Sequence, residues 1–182
     1  MRAPRLVHLN GAPAAGKSTL ARRYAEDHPF ALVLDLDHLR RTLGRWRDDP
    51  GGAGLLARSA ALAAASVHLA AGYDVVVPQL TARISFVERM AATAAGAGAR
   101  FAEVHLRIGE AESLRRFADR TRAAAEPVHV DAAETLEGGE DALRGFHAKV
   151  VAFAATRPGT ITVDSLAGDV EGTYRALVAA LG

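Results

Sequence analysis

The stretch Gly11-Ala12-Pro13-Ala14-Ala15-Gly16-Lys17-Ser18 constrains this chain more than any other. It fits G-x-x-x-x-G-K-[ST] and lies between a short apolar run, Arg5-Leu6-Val7-His8-Leu9-Asn10, and a helix-forming run, Thr19-Leu20-Ala21-Arg22-Arg23-Tyr24. In that setting the pattern is a phosphate-binding loop. Its glycines let the backbone curl so that successive N–H groups face phosphate oxygens, and the following helix adds its positive N-terminal end. Lys17 brings a compact, mobile charge to the β- and γ-phosphates, and the Ser18 hydroxyl suits Mg²⁺ as a ligand. Gly11, Ala14, Ala15, Gly16, Lys17, Ser18 and Thr19 are therefore the candidate nucleotide-binding residues. A chance match in a Gly- and Ala-rich chain is the alternative, but four fixed positions coincide in a chain this long only about once in a hundred sequences. Lysine occurs only at Lys17 and Lys149, arginine elsewhere carrying the positive charge, so composition does not explain Lys17.

A chain of 182 residues suits one domain, 1–182, with a full core. The net charge of +1 leaves no clustered basic excess, which argues against a nucleic-acid partner. There is no cysteine, so disulfides and thiolate metal sites are excluded. The chain enters its first strand within a few residues and shows no signal-peptide architecture. The longest apolar run, 59–71, contains His68 and is shorter than the ~20 residues that span a bilayer. A soluble cytoplasmic protein without a membrane partner is expected.

Read in order, the pattern predicts strand 5–10, helix 18–27, and a buried strand 30–36 ending in Asp35-Leu36-Asp37. Period-two alternation would set Asp35 and Asp37 on one side of that strand's carboxyl end, the edge where open α/β sheets bind ligands. A helix over 37–47 follows, then a polar break at 48–52. A long Ala-rich helix, 55–71, is apolar around most of its circumference and expected to pack on several sides, with Gly72 as its cap. Next come strand 73–78 ending at Gln79, helix 83–95, strand 101–108 and helix 110–121. A lid or loop covers 126–139. Helix 140–156, strand 160–163 and helix 170–181 complete the chain. Alternating strands and helices, the strands apolar on both faces, predict a five-stranded parallel sheet in a three-layer α/β/α P-loop fold.

Taken together, the phosphate loop, Asp35-x-Asp37-x-x-Arg40 and the arginine-bearing segment 106–122 make the chain similar to the small P-loop kinases. The resemblance is to the branch of AAA-type ATP-binding proteins containing chloramphenicol phosphotransferase, zeta-type toxins, gluconate kinase and shikimate kinase. It implies the sheet order 2-3-1-4-5, ATP and Mg²⁺, transfer of the γ-phosphate to a hydroxyl, and a small helical lid (about 110–139) carrying arginine. Under it Lys17 and Ser18 match the loop lysine and the metal hydroxyl. Asp37 stands where relatives place a carboxylate against the acceptor hydroxyl, and Arg40 where they bind substrate. Arg116, Arg120 and Arg122 fall in the lid, with Arg120 the catalytic candidate; Arg157 falls where relatives contact the adenine. Strand 3 ends in Pro78-Gln79 without the expected carboxylate, which leaves Asp35 for Mg²⁺ or water positioning.

Each role has a simpler alternative. Asp37 also suits the N-cap of its helix. Asp35 also suits pairing with Arg40 or another arginine. Arg116 and Arg120, four apart, also suit a solvated helix face. Gln79 and Arg83 flank the expected acceptor pocket, with Asp35, Asp37 and Arg40 as substrate-binding candidates. Trp46 suits either that pocket or the core. No histidine has metal-ligand spacing, and none is given a catalytic role. The expected function is phosphorylation of a small hydroxylated acceptor: an antibiotic, sugar, nucleoside or nucleotide-sugar. An NTPase acting with a protein partner and a nucleotide-dependent drug-binding resistance protein are the alternatives.

Overall fold

All seven residues of β1 (Arg5–Gly11) are buried, as a strand covered on both faces requires. The computed structural model describes residues 2–123 and 139–182; the expected lid residues 126–138, His129 among them, lie outside the described residues. After β1 come α1 (Lys17–Asp27), β2 (Leu32–Val33), α2 (Leu36–Arg41), α3 (Pro50–Ala70), β3 (Val75–Pro78) and α4 (Ile84–Gly96). Then follow β4 (Arg100–Arg107), α5 (Glu110–Ala123), α6 (Gly139–Ala155), β5 (Ile161–Asp164) and α7 (Val170–Leu181). The strands form one five-stranded sheet in the order β2-β3-β1-β4-β5. Leu6 and Leu32 are each in parallel register with Val75, and Val104 with Ile161. This is the three-layer α/β/α class and the strand order that the resemblance implied.

The chain's contacts group into two compact units, one of 1–9, 18–79 and 83–103, the other of 10–17, 80–82 and 104–182. The first has Leu6, Val7, Leu9, Tyr24, Leu69, Val75, Val76, Val87 and Met90 as its core. The second buries Val104, Leu106, Val150, Val163 and Leu177.

Three expectations need correction. The second strand is two residues long instead of 30–36. Phe30 has φ +60 and is 74% exposed, stacked edge-on against Tyr73. On the sheet edge, Leu32 and Leu34 donate to β3-side carbonyls, those of Asp74 and Val76. The chain leaves the sheet at Asp35 because that carboxylate turns to cap α2, accepting from the N–H groups of Asp37 and His38. Asp35, not Asp37, is thus the N-cap, and the two are not paired on a strand face.

Helix α2 stops at Arg41 rather than 47, with Thr42 as its C-cap and a turn through Gly44 and Arg45 (φ +54). That turn carries Trp46 back into a buried position. Conversely, α3 begins before residue 55. Pro50 occupies the first helical position, where no N–H is needed, and Asp49 accepts from the Gly52 N–H at 2.9 Å.

The third correction concerns packing. Only one stripe of α3 is buried (Ala57, Ala61, Leu62, Ala65, Leu69), while Leu55, Leu56 and Val67 are exposed. Begun at Pro50, α3 has 21 residues and by length and composition could cross a membrane. Helix α3 packs on α2 and α4. Gly72, with φ +91, follows the helix as its left-handed terminator, as expected.

Candidate active site

The phosphate loop is braced from behind. Asn10 is buried, and its Oδ1 accepts from the N–H groups of Gly11 (2.9 Å) and Thr81 (3.1 Å) while its Nδ2 donates to Thr81 O at 2.8 Å. Gly11 has φ +153, and a Cβ there would lie 2.9 Å from the Leu106 carbonyl oxygen, so only glycine fits. Gly16 turns through φ +92 and Ala14 through φ +58. Lys17 Nζ donates to the carbonyls of Gly11 (2.9 Å) and Ala12 (2.8 Å), so the ammonium is held across the loop.

Two serines outside the motif hold the loop's other carbonyls. Ser113 Oγ donates to Pro13 O at 2.7 Å and Ser165 Oγ to Ala15 O at 3.0 Å. Arg116 in turn donates to Ser165 Oγ (2.9 Å) and Ser165 O (3.3 Å) and to Glu112 Oε1 (2.6 Å). Glu112, bonded by Arg115 and Arg116, is pulled down to about 2. Arg116 is therefore a part-buried strut rather than one of a solvated pair. Arg120 lies with its guanidinium 5.1 Å from the Phe117 ring, and Arg122 pairs with Asp119. Arg157, just past α6, covers Phe153 at 5.6 Å. Burial, then the positive charges of His147, Arg107 and Lys17, push His105 below its ordinary range. Sequence reasoning missed Ser113 and Ser165: an isolated serine carries no pattern, and only tertiary structure brings these hydroxyls to the loop.

In the other unit, Ser18 Oγ donates to Asp35 Oδ2 at 3.3 Å. Asp35 thus spends one oxygen on the α2 N-terminus and keeps the other beside Ser18. Two hard oxygens so close suit a divalent cation such as Mg²⁺. A cavity of about 390 Å³ opens beside them, lined also by Arg22, His38 and Leu39. Asp37, on the first turn of α2, has a half-exposed side chain, and its Oδ1 lies 3.4 Å from Arg40. Arg40 lies 4.7 Å from the ring of Trp46, which is buried, as the core reading of that residue expects. Gln79 donates its backbone N–H to Leu9 O, and its carbonyl meets the Nε2 of the fully buried His8. Arg83 is the N-cap residue of α4. Thr19 is exposed on α1.

A glycine loop between a buried strand and a helix, with a lysine folded over it and a serine–carboxylate pair after it, defines a P-loop nucleotide-binding protein. A family model described as an AAA domain matches residues 6–140, and the chain belongs to that family. No curated protein matches the chain. Among solved structures, a candidate kinase from Chloroflexus aurantiacus aligns with TM-score 0.72 and 17% identity over 99% of this chain and 97% of its own. The APS kinase CysC of Mycobacterium tuberculosis, solved with AMPPNP and APS, aligns with TM-score 0.66 and 20% identity over 100% and 99%. A gluconokinase from Sinorhizobium meliloti 1021 aligns with TM-score 0.62 and 20% identity over 100% and 93%. The fold is that of the small P-loop kinases.

Proposed function

We propose that the protein is an ATP-dependent phosphotransferase acting on a hydroxyl of a small molecule, and that 1–182 works as one cytoplasmic kinase domain. One observation carries this reading. Asp35 ties the Ser18 hydroxyl to the N-terminus of α2, the helix that presents Asp37. A phosphate-loop residue and a half-exposed carboxylate are thereby fixed to one another through a single side chain, which is what transfer to an acceptor needs and bare nucleotide binding does not.

In this mechanism the loop N–H groups and Lys17 hold the β- and γ-phosphates, with Lys17 leaving the Gly11 and Ala12 carbonyls to reach them. Ser18 and Asp35 would hold Mg²⁺, which when bound neutralises charge on the phosphates. Asp37 orients the acceptor hydroxyl and takes its proton. The hydroxyl oxygen forms a bond to the γ-phosphorus as the bond from that phosphorus to the β-phosphate oxygen breaks, and ADP leaves. Arg120 offsets charge on the phosphoryl group in flight, while Arg116 holds the loop through Ser165. Arg157 lies against the adenine. Arg40, Gln79 and Arg83 contact the acceptor, which belongs to the antibiotics, sugars, nucleosides or nucleotide-sugars.

The test is a pair of variants. Asp37→Asn should lower kcat by about 10²–10⁴ and leave ATP affinity within a few-fold; Lys17→Ala should lose both. Equal turnover by Asp37→Asn and wild type would remove Asp37 from the chemistry.

A further inference from the structure

Two residues of the phosphate loop are left-handed, Ala14 with φ +58 and Gly16 with φ +92. A residue with a Cβ, such as Ala14, rarely adopts that conformation, so its surroundings must hold the turn. At both places a serine holds the peptide plane just before the left-handed residue. Ser113 Oγ donates to Pro13 O (2.7 Å), the carbonyl of the Pro13–Ala14 peptide, and Ser165 Oγ to Ala15 O (3.0 Å), the carbonyl of the Ala15–Gly16 peptide. In a planar trans peptide the C=O and N–H point in opposite directions, so fixing the oxygen aims the N–H away from the serine. The Ala15 N–H is spent on Ala12 O at 3.2 Å, whereas those of Ala14 and Gly16 have no hydrogen-bond partner among the described residues. The Ser165 proton is directed too. Arg116 donates to Ser165 Oγ at 2.9 Å and a guanidinium cannot accept, so the one hydroxyl proton goes to Ala15 O. Glu112 Oε1, 2.6 Å from Arg116 Nε, keeps the guanidinium in place.

We infer that Ser113 and Ser165 are positioning residues of the nucleotide site: by holding the Pro13 and Ala15 carbonyls they present the Ala14 and Gly16 N–H groups to the phosphates, and Arg116 acts through Ser165. The inference rests on the phosphate-loop reading above and names what aims two of the loop's donors. Donors held in place before the ligand arrives lose less freedom on binding, which strengthens each bond to a phosphate oxygen. Both clamps come from α5, Ser113 directly and Arg116 by way of Ser165, so the shape of the loop depends on where that helix sits. The simpler reading is that the two serines only finish the packing of α5 and of the chain after β5 against the loop. In that case their loss lowers stability and leaves affinity for the nucleotide alone.

The two readings differ in the lab. ATP with Mg²⁺ is titrated by calorimetry into wild type, Ser113→Ala, Ser165→Ala and Ser165→Thr, well below the Tm of each. Each alanine variant should raise Kd about 3- to 10-fold, and Ser165→Thr, which keeps the hydroxyl, should recover most of that loss. A lower Tm with an unchanged Kd overturns the inference. Amide NMR of the wild type supplies a readout that packing alone would not move. The Ala14 and Gly16 N–H signals should shift when ATP is added, the first less in Ser113→Ala and the second less in Ser165→Ala. Wild type that binds ATP while both signals stay in place overturns the inference and leaves the nucleotide reading standing. Wild type that binds no ATP fails the phosphate-loop reading itself, and the inference falls with it. For the relay, Arg116→Gln is combined with Ser165→Ala. The double variant should bind ATP no more weakly than the weaker of the two single variants. Losses that add would show Arg116 acting on the nucleotide directly and overturn its place behind Ser165.

Discussion

Gly11 shows how tightly the phosphate loop is specified at the level of single atoms. A methyl group at that position would meet the Leu106 carbonyl at 2.9 Å, and φ +153 is unfavourable for any side chain. Gly11→Ala should therefore destabilise the fold by about 1–3 kcal/mol, read by urea unfolding, and weaken ATP binding at least tenfold. A variant as stable and as tight-binding as wild type would contradict this. Asp35 has two duties that substitution can separate. Asp35→Asn keeps an oxygen to cap α2 but loses the charge beside Ser18. It should leave stability within about 0.5 kcal/mol of wild type and raise the Mg²⁺ concentration for half-maximal turnover. Lys17 and Ser18 were legible in the sequence because their chemistry is local, fixed by spacing along a few residues. The roles of Asp35 and Asp37 were harder, because they depend on where the strand ends.

At the scale of elements, the buried carboxylate of Asp74 joins α1, β1 and the entry to β3. It accepts from Tyr24 Oη (2.6 Å), the Arg5 N–H (2.8 Å) and Arg2 (2.5 Å). Burial alone would raise its pKa, but these donors outweigh burial and hold it below the ordinary carboxylate range. Tyr24 is pushed up to about 12 by burial first and then by its bond to Asp74. The depressed carboxylate contributes stability above its unfolded pKa, lost as pH falls through the folded value. The raised phenol contributes stability below pH 10, lost as pH climbs toward 12. Tm should therefore fall below about pH 4 and above about pH 10, with Tyr24→Phe flattening the alkaline side. Asp74→Ala, which strands the Tyr24 hydroxyl and the Arg5 N–H, should cost about 2–4 kcal/mol. A loss under 1 kcal/mol would show that the cluster holds nothing together. Element types were legible because period and alternation survive from sequence to structure, whereas the strand order followed from the resemblance to the small P-loop kinases. Ends were not: 30–36 reads as a core strand, but an edge position with one neighbour and the cap made by Asp35 shorten it to Leu32–Val33. Asp49 and Pro50 start α3 where the glycines suggest a break.

For the whole molecule, the two compact units alternate along the chain, each assembled from several segments. Neither can be cut out as a continuous piece, and a single cooperative unfolding transition is expected, with circular dichroism and Trp46 fluorescence giving the same midpoint. Distinct midpoints would argue for independent halves. The central claim is that a phosphate loop and an acceptor carboxylate act together to move a phosphoryl group. Its most direct measurement is ATP consumption with Mg²⁺ in the presence and absence of pooled hydroxylated acceptors, with mass spectrometry of the products and Lys17→Ala as the blank. The account predicts consumption that depends on an acceptor, yields a product heavier by one phosphoryl group, and vanishes in Lys17→Ala. Hydrolysis at one rate with or without every acceptor, and no phosphorylated product, would contradict it.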